Sequence, residues 1–347
     1  MTTDVDARPV RTARHSGGHP VATTAVFLVI AATCYLLLLG IGPTKLSPFE
    51  VINVLTGGGT RRAINVVWDL RLPVAVATVI VGAALGLAGS WTITMTRNPL
   101  ASPDFLGVSG GASVMVVAGT SFIGPALSLG LTGFWPRAGL AMIGSLVILG
   151  ILILLGGFGG SRRIVLIGFS LALMCQSAVS YMLLKAEINS SSQSQLWLAG
   201  STEMVRGDAI VPLIAGIVPI VLLASIAGHQ VKYLAHDDDT ALTLGIDIGK
   251  VRALLLVCAT GLVAVTVSVV GPITFVALVA PHLARLVART PTPPQWASAA
   301  AGAAILSACA VATSFLPITV PVGLMTSIFG GVCLVLLTLV SLRKTSA

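Results

Sequence analysis

Apolar stretches of membrane-spanning length recur along this chain, and that recurrence constrains its fold more than any single residue does. They fall at about 20–41, 70–95, 105–122, 136–157, 164–184, 209–227, 253–270, 272–289, 297–314 and 323–342. A helix needs roughly 20 apolar residues to cross a bilayer. Lipid offers no partner to a free backbone N–H or C=O, so such stretches cross as helices. The expectation is an all-α polytopic membrane domain of about ten spanning helices over 20–342, between terminal tails at 1–19 and 343–347. Composition agrees, because 55% of the 347 residues are hydrophobic and 9% are charged, against about 25% charged in a soluble domain. Gly is abundant, with 37 residues, and pairs four apart such as Gly82 and Gly86 suit close helix packing in lipid.

An even number of spans leaves both termini on one side. With the N-terminus inside, the inner segments hold Arg8, Arg11, Arg14, Arg97, Arg162, Arg163, Lys232, Lys250, Arg252, Arg285, Arg289, Arg343 and Lys344. The outer segments hold Lys45, Arg61, Arg62, Arg71, Arg137, Lys185 and Arg206. Cytoplasmic loops collect Lys and Arg, so both termini are expected in the cytoplasm. The net charge of +8 is scattered rather than gathered on a basic face, which argues against a nucleic-acid partner. The stretch 20–42 is too long for a signal-peptide core and lacks a small-residue cleavage site, so it reads as a retained first span. Cys34, Cys175, Cys258, Cys309 and Cys333 sit inside apolar runs without a CxxC pair and read as small core residues.

The polar residues point away from covalent chemistry. No HExxH occurs, and the 12 acids lie in loops or at span ends. A proton-driven carrier usually sets Asp or Glu within its spans. His282 behind Pro281 reads as a packed or capping residue rather than a catalyst. The chain has no GxxxxGK[ST], so energy from a nucleotide has to come through another chain. The longest hydrophilic loops are 43–69, 185–208 and 228–252. The last carries His236-Asp237-Asp238-Asp239 ahead of Thr240-Ala241-Leu242-Thr243-Leu244-Gly245, with Asp to start and Gly to end a small surface helix. Consecutive carboxylates point different ways around a helix and do not converge on one ion, so a partner-facing loop is expected there and no metal site. Arg97-Asn98-Pro99-Leu100-Ala101-Ser102-Pro103 is poor material for a helix. A turn at the membrane face and a stretch lining a cavity both fit it.

Several motifs in one order carry a family resemblance. They are Arg71-Leu72-Pro73, Gly82-Ala83-Ala84-Leu85 with Gly89, and Arg97-Asn98-Pro99-Leu100-Ala101-Ser102-Pro103-Asp104 with Leu106-Gly107. Then come Trp197-Leu198-Ala199-Gly200-Ser201, Asp238-Asp239-Thr240-Ala241 with Leu244-Gly245, and Gly271-Pro272-Ile273-Thr274-Phe275 running on to Pro281-His282 and Arg285. Pro321-Val322-Gly323 completes the set. Over about 20–342 the chain resembles the iron–siderophore and cobalamin importer permeases of the FecCD type, and among them those for ferric-enterobactin-type siderophores.

The resemblance implies a type II ABC importer permease fold and an ATP-binding-cassette importer in the bacterial cytoplasmic (inner) membrane. Its partners would be a second permease subunit, two ATPase subunits that bind ATP and Mg, and an extracellular or periplasmic siderophore-binding protein. Its cargo would be a ferric siderophore, with cobalamin or haem as the alternative cargo and an ATP-independent secondary carrier as the alternative class. No cofactor would be bound by this chain and no reaction catalysed by it. Asn98 and Leu100, with Pro99 between them, match cytoplasmic gate positions, and Ser161 matches another. Asp238, Asp239, Thr240, Ala241, Leu242, Leu244 and Gly245 match a coupling helix that docks on an ATPase. Arg71 matches an outer arginine that pairs with a binding-protein carboxylate, with Arg61 and Arg62 nearby in the first outer loop. The chain departs from the pattern at Val74 and Phe315, where relatives often carry Arg, and at Ile93 and Val311. Those losses imply a non-identical permease pair in which the second subunit supplies the missing charges.

Overall fold

The computed structural model describes residues 19–41, 47–123, 130–131, 133–157, 162–226 and 247–345. Ser161 and the coupling residues Asp238, Asp239, Thr240, Ala241, Leu242, Leu244 and Gly245 lie outside the described residues. Every regular element among the described residues is helical. We number them α1 (Pro20–Gly40), α2 (Pro48–Leu55), α3 (Arg61–Thr96), α4 (Val108–Ile123), α5 (Phe134–Gly156) and α6 (Arg162–Lys185). There follow α7 (Ile188–Leu198), α8 (Gly207–Ile226), α9 (Ile248–Val270), α10 (Val276–Ala288), α11 (Gln295–Ser314) and α12 (Val322–Thr345). Of these, 7 are long and apolar enough to cross a membrane, and α4, α10 and α12 are shorter apolar helices. Together they occupy the expected ten stretches.

Local chemistry sets the boundaries. Pro20 opens α1, where its missing N–H costs nothing. Ser47 and Glu50 close a reciprocal capping box at the start of α2, with Ser47 N donating to Glu50 Oε2 (2.7 Å) and Glu50 N to Ser47 Oγ (3.2 Å). Thr60 caps α3 by accepting from Ala63 N. The 36 residues of α3 extend roughly 54 Å, well past a hydrocarbon core of about 30 Å. Its first turns therefore stand beyond the bilayer. Within it Pro73 cannot donate to the carbonyl four residues back and crowds it, and the turn before it, Val66–Arg71, widens to a π form. The loops expected at 43–69 and 185–208 thus contain helix: α2, the start of α3, and α7. Two span starts shift for a similar local reason. Gly107 and Phe275 take left-handed backbone (φ 84° and 67°), which delays α4 to Val108 and α10 to Val276.

The core runs through α3, α9 and α11, whose apolar windows are 67%, 78% and 72% buried, against 17% in α1 and α8. Small residues make this possible. A Cβ at Gly82 or Gly86 on α3 would collide with backbone at Gly302 or Ser298 on α11, and one at Gly89 with the Ala277 carbonyl on α10. Packing of backbone on backbone replaces the hydrophobic drive that lipid withholds. Cys175, Cys258 and Cys309 are buried, as expected of core residues, whereas Cys34 and Cys333 are half-buried; all five are free thiols.

Candidate functional site at the two ends of the bundle

One end of the bundle carries the segment between α3 and α4. Arg97 turns the chain out of α3 with left-handed backbone (φ 51°). Asn98 then folds the segment on itself, its Oδ1 accepting from Leu100 N (3.0 Å) and its carbonyl from Ala101 N (3.1 Å). Residues 97–100 are exposed, and Leu100 offers an apolar tip at 57% exposure. Beyond it the chain is anchored. Ala101, Ser102 and Pro103 are buried, and a short 3-10 helix, Pro103–Leu106, seats Leu106 against Gly168 of α6. Asp104 accepts from Ser109 Oγ (3.1 Å) and Ser102 Oγ (3.4 Å), tying the short helix to the start of α4. Burial pushes its carboxyl up to about 6, against the pull of both serine hydrogen bonds. The result is a short arm, fixed at its base and free at its tip. His282 places Nδ1 2.8 Å from the Leu278 carbonyl one turn back, a packed helical histidine.

At the opposite end three motifs far apart in sequence meet. Gly200 adopts φ 69° and its carbonyl accepts from Gly323 N (2.9 Å), while Ser201 N donates to the Val270 carbonyl (2.8 Å). A Cβ at Gly200, Gly271 or Gly323 would strike the carbonyl of Pro272, Trp197 or Ala199 respectively. The Trp197–Ser201, Gly271–Phe275 and Pro321–Gly323 motifs are thus one interlock of backbones. Thr202 joins it to α3 by accepting from Thr78 Oγ1 (3.0 Å). Spacing in the sequence signals each turn but not their meeting.

The expected docking arginines separate. Arg61 and Arg62 are exposed on the first turn of α3. Arg71 is 9% exposed and donates from Nη1 to the carbonyls of Leu39 (2.7 Å) and Gly40 (3.0 Å). These are orphan carbonyls at the C-terminus of α1, and a guanidinium is a natural cap for them. Phe315 is 69% exposed, whereas Val311 and Ile93 are buried. Asp104 and Arg137, the latter on the first turn of α5 facing α7, take on roles that their sequence surroundings do not announce.

The chain matches the FecCD transport family over residues 28–340. It is 31% identical over 312 residues to the ferric enterobactin transport system permease protein FepG of Escherichia coli (strain K12), covering 87% of this chain and 91% of that protein. It is 30% identical over 307 residues to the hemin transport system permease protein HmuU of Yersinia pestis, covering 85% and 90%. Its fold matches a solved metal-chelate type ABC transporter in an inward-facing conformation, with a TM-score of 0.77 at 22% identity over 92% of this chain and 99% of that one. The chain belongs to the FecCD transport family, with the helical membrane fold of an ABC importer permease.

Proposed function

We propose that the chain is one permease subunit of an ATP-driven importer that carries a ferric siderophore complex across the bacterial cytoplasmic membrane. One observation carries this reading: FepG, a ferric enterobactin permease, aligns with this chain over 91% of its own length. The chemistry is conformational. Two ATPase subunits bind ATP and Mg, and their closure favours one of two global states of the permease pair. Residues 238–245 transmit that closure. The arm end faces the cytoplasm together with both termini, and Asn98, Pro99, Leu100 and Ser161 form the inner gate. The opposite end receives the binding protein, with Arg61 and Arg62 in contact and Arg71 holding α1 and α3 in position behind them. The second permease is a different chain that carries more of the outer positive charge, since Val74 and Phe315 supply none. Haem is the second reading of the cargo, because HmuU is about as similar as FepG.

Uptake of radiolabelled ferric enterobactin and of haem by a strain lacking this chain tests the proposal. Loss of ferric uptake, restored by the gene and abolished by ATP depletion, is expected. Loss of haem uptake alone would move the cargo, and uptake that survives ATP depletion would indicate a secondary carrier. Purification of the tagged chain should bring down a second permease of similar length; transport by a reconstituted homodimer would refute the heterodimer.

A further inference from the structure

A partly open cavity of about 120 Å³ lies among α5, α7 and α9 at the end of the bundle assigned to the outside. Phe134, Trp197 and Met204 give it apolar walls, and Arg137, Ser201 and Ser268 give it polar ones. Arg137 is half-buried, and its Nη2 donates to Gln193 Oε1 (3.2 Å). No carboxylate among the described residues pairs with it. Asp208 at the same end is engaged by Trp135 Nε1 (3.2 Å) and Arg206 Nε (3.5 Å). A guanidinium has five N–H donors, so most of its hydrogen-bonding capacity remains for a ligand. Ser201 Oγ accepts from Glu203 N (3.2 Å), which leaves its own proton free to donate.

A half-buried cation beside aromatic walls and a free hydroxyl suits an anion with a flat apolar body. The size limits it further. An engineered cavity of about 150 Å³ takes a benzene molecule, so this one, smaller but open at its mouth, takes in part of a single ring and not a whole ferric complex. Chelators hold ferric iron through anionic oxygens, carboxylates among them, and a carboxylate at the rim of a complex is what this cavity would meet. We infer that the Arg137 cavity is an outer subsite for one ring-sized anionic arm of the chelate. The inference rests on the proposed ferric cargo and adds to it an entry point that selects for negative charge.

The test uses the purified full-length chain in lipid nanodiscs, titrated with 2,3-dihydroxybenzoate and with its neutral isostere 2,3-dihydroxybenzamide. Tryptophan fluorescence, with Trp197 in the cavity wall, and calorimetry follow binding. The wild type should prefer the benzoate about tenfold, the scale of one charge-assisted hydrogen bond. Arg137→Gln should bring the two ligands to equal affinity, and Arg137→Lys should keep most of the preference. Equal affinity in the wild type, a comparison that needs no variant, would overturn the subsite. So would a preference that survives in Arg137→Gln. A benzoate preference in a chain that imports no ferric complex would overturn the cargo and keep the subsite. Ferric uptake without the preference would overturn the subsite alone.

Discussion

The two ends of the bundle use their motif residues in opposite ways. At one end Gly200, Gly271 and Gly323 bring three backbones so close that no side chain fits between them. At the other, Asn98 hydrogen-bonds within its own turn, and the tip it forms with Leu100 is exposed. Residues kept for packing and residues kept for contact with something else are therefore separable on physical grounds. A glycine wedged on a carbonyl is structural. An apolar side chain held out on a self-made turn adds little to the packing of this chain, which is what the proposed gate role of Leu100 requires.

That contrast can be broken first at the interlock. Gly323→Val drives a Cβ into the Ala199 carbonyl and should cost about 4 kcal/mol, the exceptional end of single substitutions, because rigid backbone rather than a side chain blocks it. The expected outcome is little protein in the membrane fraction, and a well-folded, transporting variant would undo the structural reading of this end. At the arm, Leu100→Asp should change thermal stability by less than about 0.5 kcal/mol, as exposed sites do. Transport should nevertheless fall by about a hundredfold, the equivalent of roughly 2.7 kcal/mol. Matched losses of stability and transport would remove the distinction between the two ends.

The base of the arm gives a pH test. Asp104 has an ordinary carboxyl value of 3.8, raised to about 6 in the fold. The folded chain keeps a proton that the unfolded chain releases, so stability falls as pH rises through that interval, and the cost is fully present above it. Asp104→Asn should stabilise the protein at pH 7.5 by on the order of 2 kcal/mol, with the gain vanishing near pH 4. A pH-independent difference in melting temperature would show that the carboxyl is not strained by burial. The smallest effect concerns docking. Arg61→Glu with Arg62→Glu should weaken binding-protein association by about tenfold at low salt and less at high salt, since exposed pairs are worth about 0–1 kcal/mol each. Arg71→Gln should lower thermal stability instead, because two α1 carbonyls lose their donor.

The spans were legible because lipid admits few solutions for ten long apolar stretches. What lay between them was not, and for local reasons. The capping box of Ser47 and Glu50 and the Thr60 cap sit in residues that hydropathy reads as loop, so α2 and the first turns of α3 escape it. The break at Asn98 to Pro103 follows from proline chemistry, but its anchored base and free tip depend on Gly168 and Ser109, which are distant or unremarkable in sequence. Arg71 illustrates the limit best. The family resemblance marks it as a docking charge, but that its guanidinium also caps α1 depends on where the Leu39 and Gly40 carbonyls fall, which no spacing encodes.

An inner gate has to move in the nucleotide-driven cycle, and thiol labelling of the arm measures that motion directly. Leu100→Cys, in a background whose five native cysteines are replaced, would be assembled with its partner subunits in inside-out vesicles. A membrane-impermeant maleimide would then be applied without nucleotide, with ATP and vanadate, and with ADP. A labelling rate that differs severalfold between these states is expected, while a cysteine on the exposed turn at Arg61, at the end assigned to the outside, stays unlabelled throughout. A rate at position 100 that is the same in every nucleotide state would contradict the gate.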